Sequence, residues 1–190
     1  MRTPFAYKND NLMADTYTQL YIHLVFAVKY RQSLIHESFR DELEKYMCGI
    51  VNEKRHKPLA IYCMPDHIHL FVGLNPAEAI STLVRDLKTA TNTLIKEKQW
   101  VAGRFQWQEG YGAFSHARSQ LDTVVRYIRN QPIHHQKQRF RDEYLDMLHK
   151  AGVDFQTQYL FDWLDEPLGN VTTESVVPYG DSSKTNVPNP

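Results

Sequence analysis

The 190-residue sequence has few cysteines, no long apolar run and no excess of either charge. Cys48 and Cys63 are the only two cysteines and neither belongs to a CxxC motif, so we expect free thiols in a reducing cytoplasm. No segment approaches the roughly 20 apolar residues that cross a bilayer, and the polar first residues lack the apolar core of a signal peptide. A membrane protein is therefore excluded, and a cytoplasmic protein with one domain and a tail is predicted.

Charge is balanced over the whole chain, with 22 Lys+Arg and 22 Asp+Glu, but it is distributed unevenly. Residues 104–141 carry seven Lys or Arg against two acids, whereas residues 142–166 carry seven acids against one Lys. A basic stretch followed by an acidic one is typical of a surface that binds phosphates and has its own counter-charge. Ordinary solvated helix faces explain the same pattern, so this feature alone leaves both interpretations open.

The spacing of apolar residues predicts an α+β fold. Alternation over residues 16–28 predicts a strand with one face on a core, and its other face carries Tyr17, Tyr21 and His23, either near a ligand or as ordinary surface rings. The order is that of a ferredoxin-like βαββαβ sheet with an additional C-terminal helix. We expect the two crossover helices to cover one sheet face and to leave the other open. The remaining predicted elements are helices at 37–54, 77–98, 119–131 and 140–164, strands at 58–64, 67–73 and 104–108, and a flexible connection at Gly110 and Gly112.

His67 and His69 are the most informative pair of residues. Positions two apart on a strand face the same way, so both imidazoles project from one side while Ile68 projects from the other. Two rings separated by about 6–7 Å along a strand can converge on one metal ion. Surface histidines without a ligand fit the same pattern. Asp66, with the preceding Pro65, is interpreted as a turn former without a catalytic role.

Tyr127 and Gln131 are four residues apart and so share one face of the predicted helix 119–131. Tyr127 is either a half-buried packing residue or a nucleophile, which at neutral pH needs help because a phenol has a pKa near about 10. A metal ion that polarises a phosphate provides such help, and Gln131 is then a candidate third ligand. Pro132 disfavours helical geometry at Gln131, so we expect the helix to end or kink there.

Three segments together resemble the single-tyrosine HUH transposases, and more narrowly the IS200-like transposases of small bacterial and archaeal insertion sequences. They are HLVFAVKYR at residues 23–31, MPDHIHLFV at 64–72 and VRYIRNQ at 125–131. The resemblance extends from about residue 16 to residue 141. With the polar composition of both ends, we expect a flexible leader at 1–14, an HUH transposase domain at 15–141, an acidic helical extension at 142–166 of unknown role, and a disordered tail at 167–190.

The resemblance implies a chemistry for these positions. It implies that His67 and His69 bind Mg²⁺ or Mn²⁺, that Gln131 is the third ligand, and that Tyr127 is the nucleophile. The enzyme would cut single-stranded DNA near hairpins at the ends of an insertion sequence, through a 5′-phosphotyrosine intermediate. It would act as a homodimer in which the tyrosine helix of one subunit completes the site of the other, with Gly110 and Gly112 giving the chain the pliability that this exchange needs.

Four basic residues are candidate contacts to DNA phosphates: Lys29 and Arg31 at the end of the first strand, and Arg126 and Arg129 beside the tyrosine. Other functions stay open at this point. A domesticated transposase that acts on chromosomal repeat hairpins has the same motifs. A replication initiator or relaxase shares the histidine pair but is usually larger. A single-stranded nucleic-acid-binding protein that has lost catalysis is disfavoured by the intact His67, His69 and Tyr127.

Overall fold

A computed structural model describes residues 17–135, 139–156 and 160. The predicted leader at 1–14 and tail at 167–190 lie outside the described residues. The strands are β1 Tyr21–Ala27, β2 Lys57–Cys63, β3 His67–Gly73 and β4 Gly112–His116. The helices are α1 Glu37–Glu53, α2 Ile80–Glu97, α3 Leu121–Arg129, α4 Gln131–His134 and α5 Phe140–Lys150, with short 3-10 turns at Lys29–Arg31 and Arg118–Gln120.

The four strands form one antiparallel sheet in the order β2-β3-β1-β4. This order and the sequence of elements confirm the predicted ferredoxin-like α+β fold, in which each crossover helix connects two strands that have a third strand between them. The central pair is β1 with β3, and its register places Val25 opposite His69 and His23 opposite Phe71. The histidine pair therefore lies near the middle of the sheet.

One face of the sheet is buried under α1 and α2, as predicted. Alternate residues of the central strands point into this core, because successive side chains of a strand face opposite ways. The core members from the sheet are Ile22, Leu24, Phe26, Ile68, Leu70 and Val72. The helices contribute residues at helical spacing: Phe39, Leu43, Met47 and Val51 from α1, and Leu83, Val84, Leu87 and Ile95 from α2.

The second face of the sheet is covered, and the prediction that it stays open is wrong. α3 packs Val124 and Ile128 against Ala60 and Phe71. α5 packs Phe140, Tyr144 and Leu148 against Val25, Ala27 and Phe114. The apolar residues on this face of β1 and β3 favour such cover, because leaving them in water forgoes about 25 cal/mol per Å² of apolar surface.

The fourth strand lies at Gly112–His116 and not at 104–108, as the sequence pattern predicted. Phe105 and Trp107 alternate like strand residues because both rings enter the core beneath α2, but this segment makes only a single bridge, Val28 to Trp107. β4 has one buried aromatic residue, Phe114, between the small residues Ala113 and Ser115, so its sequence pattern is weak. Gly110 and Gly112 therefore precede or begin β4 and do not connect the sheet to the tyrosine helix.

Two predicted elements are shorter than expected. β1 begins at Tyr21, and Thr18 and Leu20, which were predicted to face the core, are exposed. α5 ends at Lys150, where Gly152 has a φ of +62° and its N–H donates to the His149 carbonyl. A left-handed glycine is a common end of a helix. Residues 151–156 are not helical, in contrast to the helix predicted up to 164.

Candidate active site

His67 and His69 lie side by side on the second face of β3, with ring centroids 5.0 Å apart and almost no exposure. The Nδ1 atom of His67 lies 2.7 Å from Asp66 Oδ1, and the Nδ1 atom of His69 lies 3.0 Å from His23 Nε2. Within the described residues neither Nε2 atom has a hydrogen-bond partner. Each ring is thus held by one nitrogen and presents the other, which is how metal-binding histidines are usually oriented.

Asp66 does more than form a turn, and sequence reasoning missed this. Its carboxylate also accepts hydrogen bonds from Arg31, including one from Nε at 3.0 Å. Arg31 reaches it from a left-handed backbone conformation with φ of +56°, and its guanidinium lies 3.8 Å from the centroid of the Phe140 ring. Phe140 in turn contacts His67, with ring centroids 4.0 Å apart. Arg31, predicted to bind DNA phosphates, is therefore paired with Asp66 at the edge of the site.

Tyr127 and Gln131 reach the site from two short helices. α3 ends at Arg129 and α4 begins at Gln131 with Pro132 in its first turn, so the helix is interrupted as expected. The Tyr127 ring is perpendicular to the His69 ring of the same chain, at 5.9 Å between centroids. Gln131 is fully buried; its Nε2 donates to Glu143 at 2.8 Å, and its Oε1 has no hydrogen-bond partner within the described residues.

Glu143, from α5, lies between the tyrosine and the histidines. Its Oε1 accepts hydrogen bonds from the Tyr127 hydroxyl and from Gln131, and it lies 3.7 Å from His69 Nε2. Its Oε2 lies 2.9 Å from His135 Nε2. The sequence contained one signal for this role. Glu143 falls on the apolar stripe of α5, three residues after Phe140, where a solvated acid is not expected.

The electrostatics of the site favour neutral His23, His67 and His69 and a charged Glu143 carboxylate. Burial lowers the pKa of His67 to about 4 and holds that of His69 well below its usual value. Burial and the neighbouring His116 lower the pKa of His23 to about 3. Burial by itself would raise the pKa of Glu143, but the nearby His135 and His69 hold it well below its ordinary value. At neutral pH the site therefore offers nitrogen lone pairs and an anionic carboxylate.

Tyr127 is protonated in this arrangement. Burial and then the negative charge of Glu143 raise the pKa of its hydroxyl far above the ordinary value. A phenol in this state donates its hydrogen bond to Glu143 and becomes a nucleophile only when positive charge nearby favours loss of the proton.

The residues present fit a divalent cation. One nitrogen or oxygen atom from each of His67, His69, His135 and Glu143 lies within 4.8 Å of the others. Buried imidazole nitrogens without hydrogen-bond partners, next to a carboxylate, are the donor set of a metal site. Without a cation, these atoms would remain desolvated and unsatisfied, which is costly.

A cleft of about 570 Å³ opens beside Tyr127 and gives access to its ring from the side of β4. Its lining includes His23, Ser119 and Thr123, and Lys150 lies among the lining residues on α5. Two further clefts lie between α2 and residues 101–111 and contain none of the site residues. The cleft beside Tyr127 thus connects the candidate nucleophile to the surface.

The other predicted DNA contacts lie outside the buried cluster. Arg126 and Arg129 are exposed on α3, on either side of Tyr127 in sequence, and Lys29 is half-buried in the 3-10 turn after β1. Of the ring-rich row on the first strand, only His23 reaches the site, because Tyr17 is exposed and Tyr21 packs near Phe71. None of the helices in the described ranges is long and apolar enough to cross a membrane.

Comparisons with known proteins confirm the family resemblance. The profile described as "Transposase IS200 like" matches residues 16–131, more than half of the chain. The ISDra2 transposase TnpA of Deinococcus radiodurans is 28% identical over 120 residues, which span 60% of this chain and 84% of that protein. His135 and Glu143 lie beyond the matched residues.

Two solved structures are also similar. A REP-associated tyrosine transposase bound to a REP hairpin superposes with a TM-score of 0.50 at 15% identity, over 64% of this chain and 72% of that one, a likeness of fold. A crystal structure of a proposed transposase from Deinococcus radiodurans has a TM-score of 0.46 at 25% identity, over 69% of this chain and 98% of that one.

Proposed function

The chain belongs to the IS200-like transposase family and is a DNA transposase, and from this premise we propose how it acts. It cuts and rejoins single-stranded DNA through a 5′-phosphotyrosine intermediate on Tyr127, with Mg²⁺ or Mn²⁺ at His67 and His69. The observation that carries the proposal is the contact between the Tyr127 hydroxyl and Glu143, within the same cluster as the two unpartnered histidine nitrogens.

The covalent step exchanges one phosphate ester for another. Tyr127 Oη bonds to the phosphorus of the scissile phosphodiester, the bond from phosphorus to the 3′ oxygen breaks, and that oxygen takes up a proton from solvent to leave as a 3′ hydroxyl. The phenol proton passes toward Glu143 Oε1, which already accepts the Tyr127 hydrogen bond. The phosphotyrosine retains the energy of the broken phosphodiester, so a 3′ hydroxyl can reverse the step without ATP.

A cation bound at this site would supply positive charge that polarises the phosphate and favours ionisation of the phenol. His67 and His69 would hold it, with Gln131 as the predicted third ligand. Asp66 and His23 orient the two imidazoles, and burial beneath Phe140 keeps water from the donor atoms. The alternative of an inactive nucleic-acid-binding protein gives no reason to bury these donors together without partners.

The DNA we propose is a hairpin in single-stranded form at the ends of an insertion sequence. The family resemblance supplies this substrate class, and a structural neighbour of the same fold binds a REP hairpin. Arg126 and Arg129 present exposed charge on the helix that carries the nucleophile, where they would contact DNA phosphates, and Lys29 is a further candidate. The Arg31 guanidinium would act mainly through its pair with Asp66.

A covalent adduct tests the mechanism. The full chain is incubated with Mg²⁺ or Mn²⁺ and a labelled single-stranded hairpin from its own element, and the denatured products are separated by mass. We expect a protein–DNA adduct from the wild type and from Tyr46→Phe, a control on the exposed side of α1, and none from Tyr127→Phe. An adduct with Tyr127→Phe, or none with the wild type, would overturn the proposed chemistry.

We propose further that the enzyme is a homodimer in which each tyrosine serves the partner's site, as the resemblance implies. Tyr127 of a single chain already lies beside its own His69, so the two arrangements need a direct comparison. A mixture of Tyr127→Phe chains with His67→Asn/His69→Asn chains gives adduct only if the tyrosine acts in trans. No adduct from the mixed and re-associated chains would show that it acts in cis.

A further inference from the structure

We infer that His135 and Glu143 are ligands of the same cation, so that it is held by three imidazoles and one carboxylate. This inference rests on the proposed metal site at His67 and His69. It differs from the ligand set implied by the resemblance, in which Gln131 follows the two histidines. Both new residues lie beyond residue 131, where the family match ends.

The burial and hydrogen bonding of the four donor atoms favour a shared ion. His67 Nε2, His69 Nε2, His135 Nε2 and Glu143 Oε2 are all buried and have no aligned hydrogen-bond partner within the described residues. His135 Nε2 and Glu143 Oε2 are only 2.9 Å apart, yet they are not oriented as a hydrogen bond. Each buried polar atom without a partner costs folding free energy, so one cation that satisfies all four atoms would offset that cost.

The four residues also lie close enough together to share one ion. One nitrogen or oxygen atom from each of the four residues lies within 4.8 Å of the others. Ligands at about 2.0–2.2 Å from one tetrahedral ion are separated from each other by less than this span, so a small closure of the cluster suffices. His134, the neighbour of His135, is excluded from the group, and its ring is partly exposed.

The orientation of the Gln131 amide indicates that this residue positions Glu143. Its Nε2 donates to Glu143 Oε1, so the amide nitrogen faces the carboxylate. Gln131 Oε1 is buried without a hydrogen-bond partner within the described residues, so the amide holds the carboxylate through Nε2 alone. Gln131 is therefore a positioning residue that, with Tyr127, holds one oxygen of Glu143 and leaves the other, Oε2, for the ion.

The donor set also predicts the class of cation. Imidazole nitrogens suit the later transition metals, and the affinity of nitrogen and oxygen sites rises along the first row from Mn²⁺, whereas Mg²⁺ prefers an all-oxygen octahedron with several waters. Three imidazoles and one carboxylate should thus bind Mn²⁺ more tightly than Mg²⁺. A site of two histidines and an amide oxygen, completed by water, would discriminate less.

Binding of Mn²⁺ to the full chain without DNA tests the inference independently of cleavage. Free Mn²⁺ is measured by electron paramagnetic resonance for the wild type, His135→Asn, Glu143→Gln and the control His134→Asn. Loss of a residue that only orients a ligand typically costs about 10–100-fold in affinity, so loss of a ligand should cost at least about tenfold. We expect that loss for His135→Asn and Glu143→Gln and none for His134→Asn.

Folding is followed in parallel by the rise in unfolding temperature when Mn²⁺ is added. A variant that is folded but gains less stability from Mn²⁺ has lost binding rather than structure. In a double-mutant cycle, Gln131→Leu should weaken Mn²⁺ binding in the wild type but have little further effect in Glu143→Gln, since it acts through Glu143.

Two failures are distinguishable. If His67→Asn/His69→Asn abolishes Mn²⁺ binding while His135→Asn and Glu143→Gln bind like the wild type, the inference is wrong and the proposed function stands. If Gln131→Leu then abolishes Mn²⁺ binding, Gln131 is the third ligand. If His67→Asn/His69→Asn still binds Mn²⁺ like the wild type, the metal site of the proposed function is itself refuted.

Discussion

Replacing Asp66 by Asn should weaken metal binding without rearranging the histidine that it holds. Asn keeps an acceptor for the His67 Nδ1 atom, 2.7 Å away, but removes the negative charge. Despite burial, which would raise it, the pKa of Asp66 is lowered by its bond from His67 and the charge of Arg31, so the group is an anion at neutral pH. An anionic partner makes the imidazole a stronger metal donor.

Asp66→Asn should lower both the metal affinity and the free energy of unfolding. Loss of the second partner of a metal-binding histidine typically reduces affinity by about 10–100-fold, or about 1.4–2.7 kcal/mol. The folded state also loses stability, because Arg31 is only 13% exposed and would keep its charge without the carboxylate. We estimate about 1–3 kcal/mol for this second effect, less than the 3–5 kcal/mol of a fully buried pair because some solvent reaches it.

A double variant distinguishes the loss of metal affinity from the loss of folding stability. Arg31→Leu combined with Asp66→Asn removes both charges and should recover much of the lost unfolding free energy in urea, while Mn²⁺ affinity stays low. The control is Asp86→Asn, which breaks an ion pair with Lys54 on the opposite side of the sheet and should leave Mn²⁺ binding unchanged. If Asp66→Asn binds Mn²⁺ as tightly as the wild type, the proposed coupling between Asp66 and His67 is wrong.

Two further predictions concern folding. In the folded protein the pKa of His23 is lowered to about 3 and that of His67 to about 4, below the value of about 6.5 in the unfolded chain. In metal-free protein, acid therefore protonates the unfolded state first. The free energy of unfolding is highest above pH about 6.5 and falls as the pH drops toward the folded-state pKa values. Urea unfolding in chelator should show a fall of about 1 kcal/mol per histidine from pH 7.5 to 5.5, and a flat profile would contradict the burial argument. A methyl group at Gly112 would lie 2.9 Å from the Tyr144 ring. Gly112→Ala should therefore destabilise the packing of α5 by about 1–3 kcal/mol, whereas Gly49→Ala, in open space within α1, should stabilise the protein by up to about 1 kcal/mol. Equal unfolding midpoints for the two variants would refute the contact.

The sequence alone determined the features that depend on local periodicity. Alternation placed His67 and His69 on one face of a strand, and the structure has that strand at the predicted bounds, His67–Gly73. Helical spacing located α1, α2 and α3 to within a few residues, and Pro132 predicted the break before Gln131. These features follow from backbone geometry, which a few neighbouring residues specify.

Features that depend on register and packing were decided only by the tertiary structure. Sheet register brings His23 to His69, 46 residues away, and α5 brings Glu143 to Tyr127. The edge strand β4 was misplaced because its burial comes from one aromatic residue and from α5, not from alternation. The packing of α3 and α5 on the second sheet face was also not predicted, because no local sequence pattern specifies which helix packs against a sheet. Among the described acids of segment 142–166, Glu143 is buried while Asp142, Asp146 and Asp154 are exposed, and the packing of α5 on the sheet produces this difference.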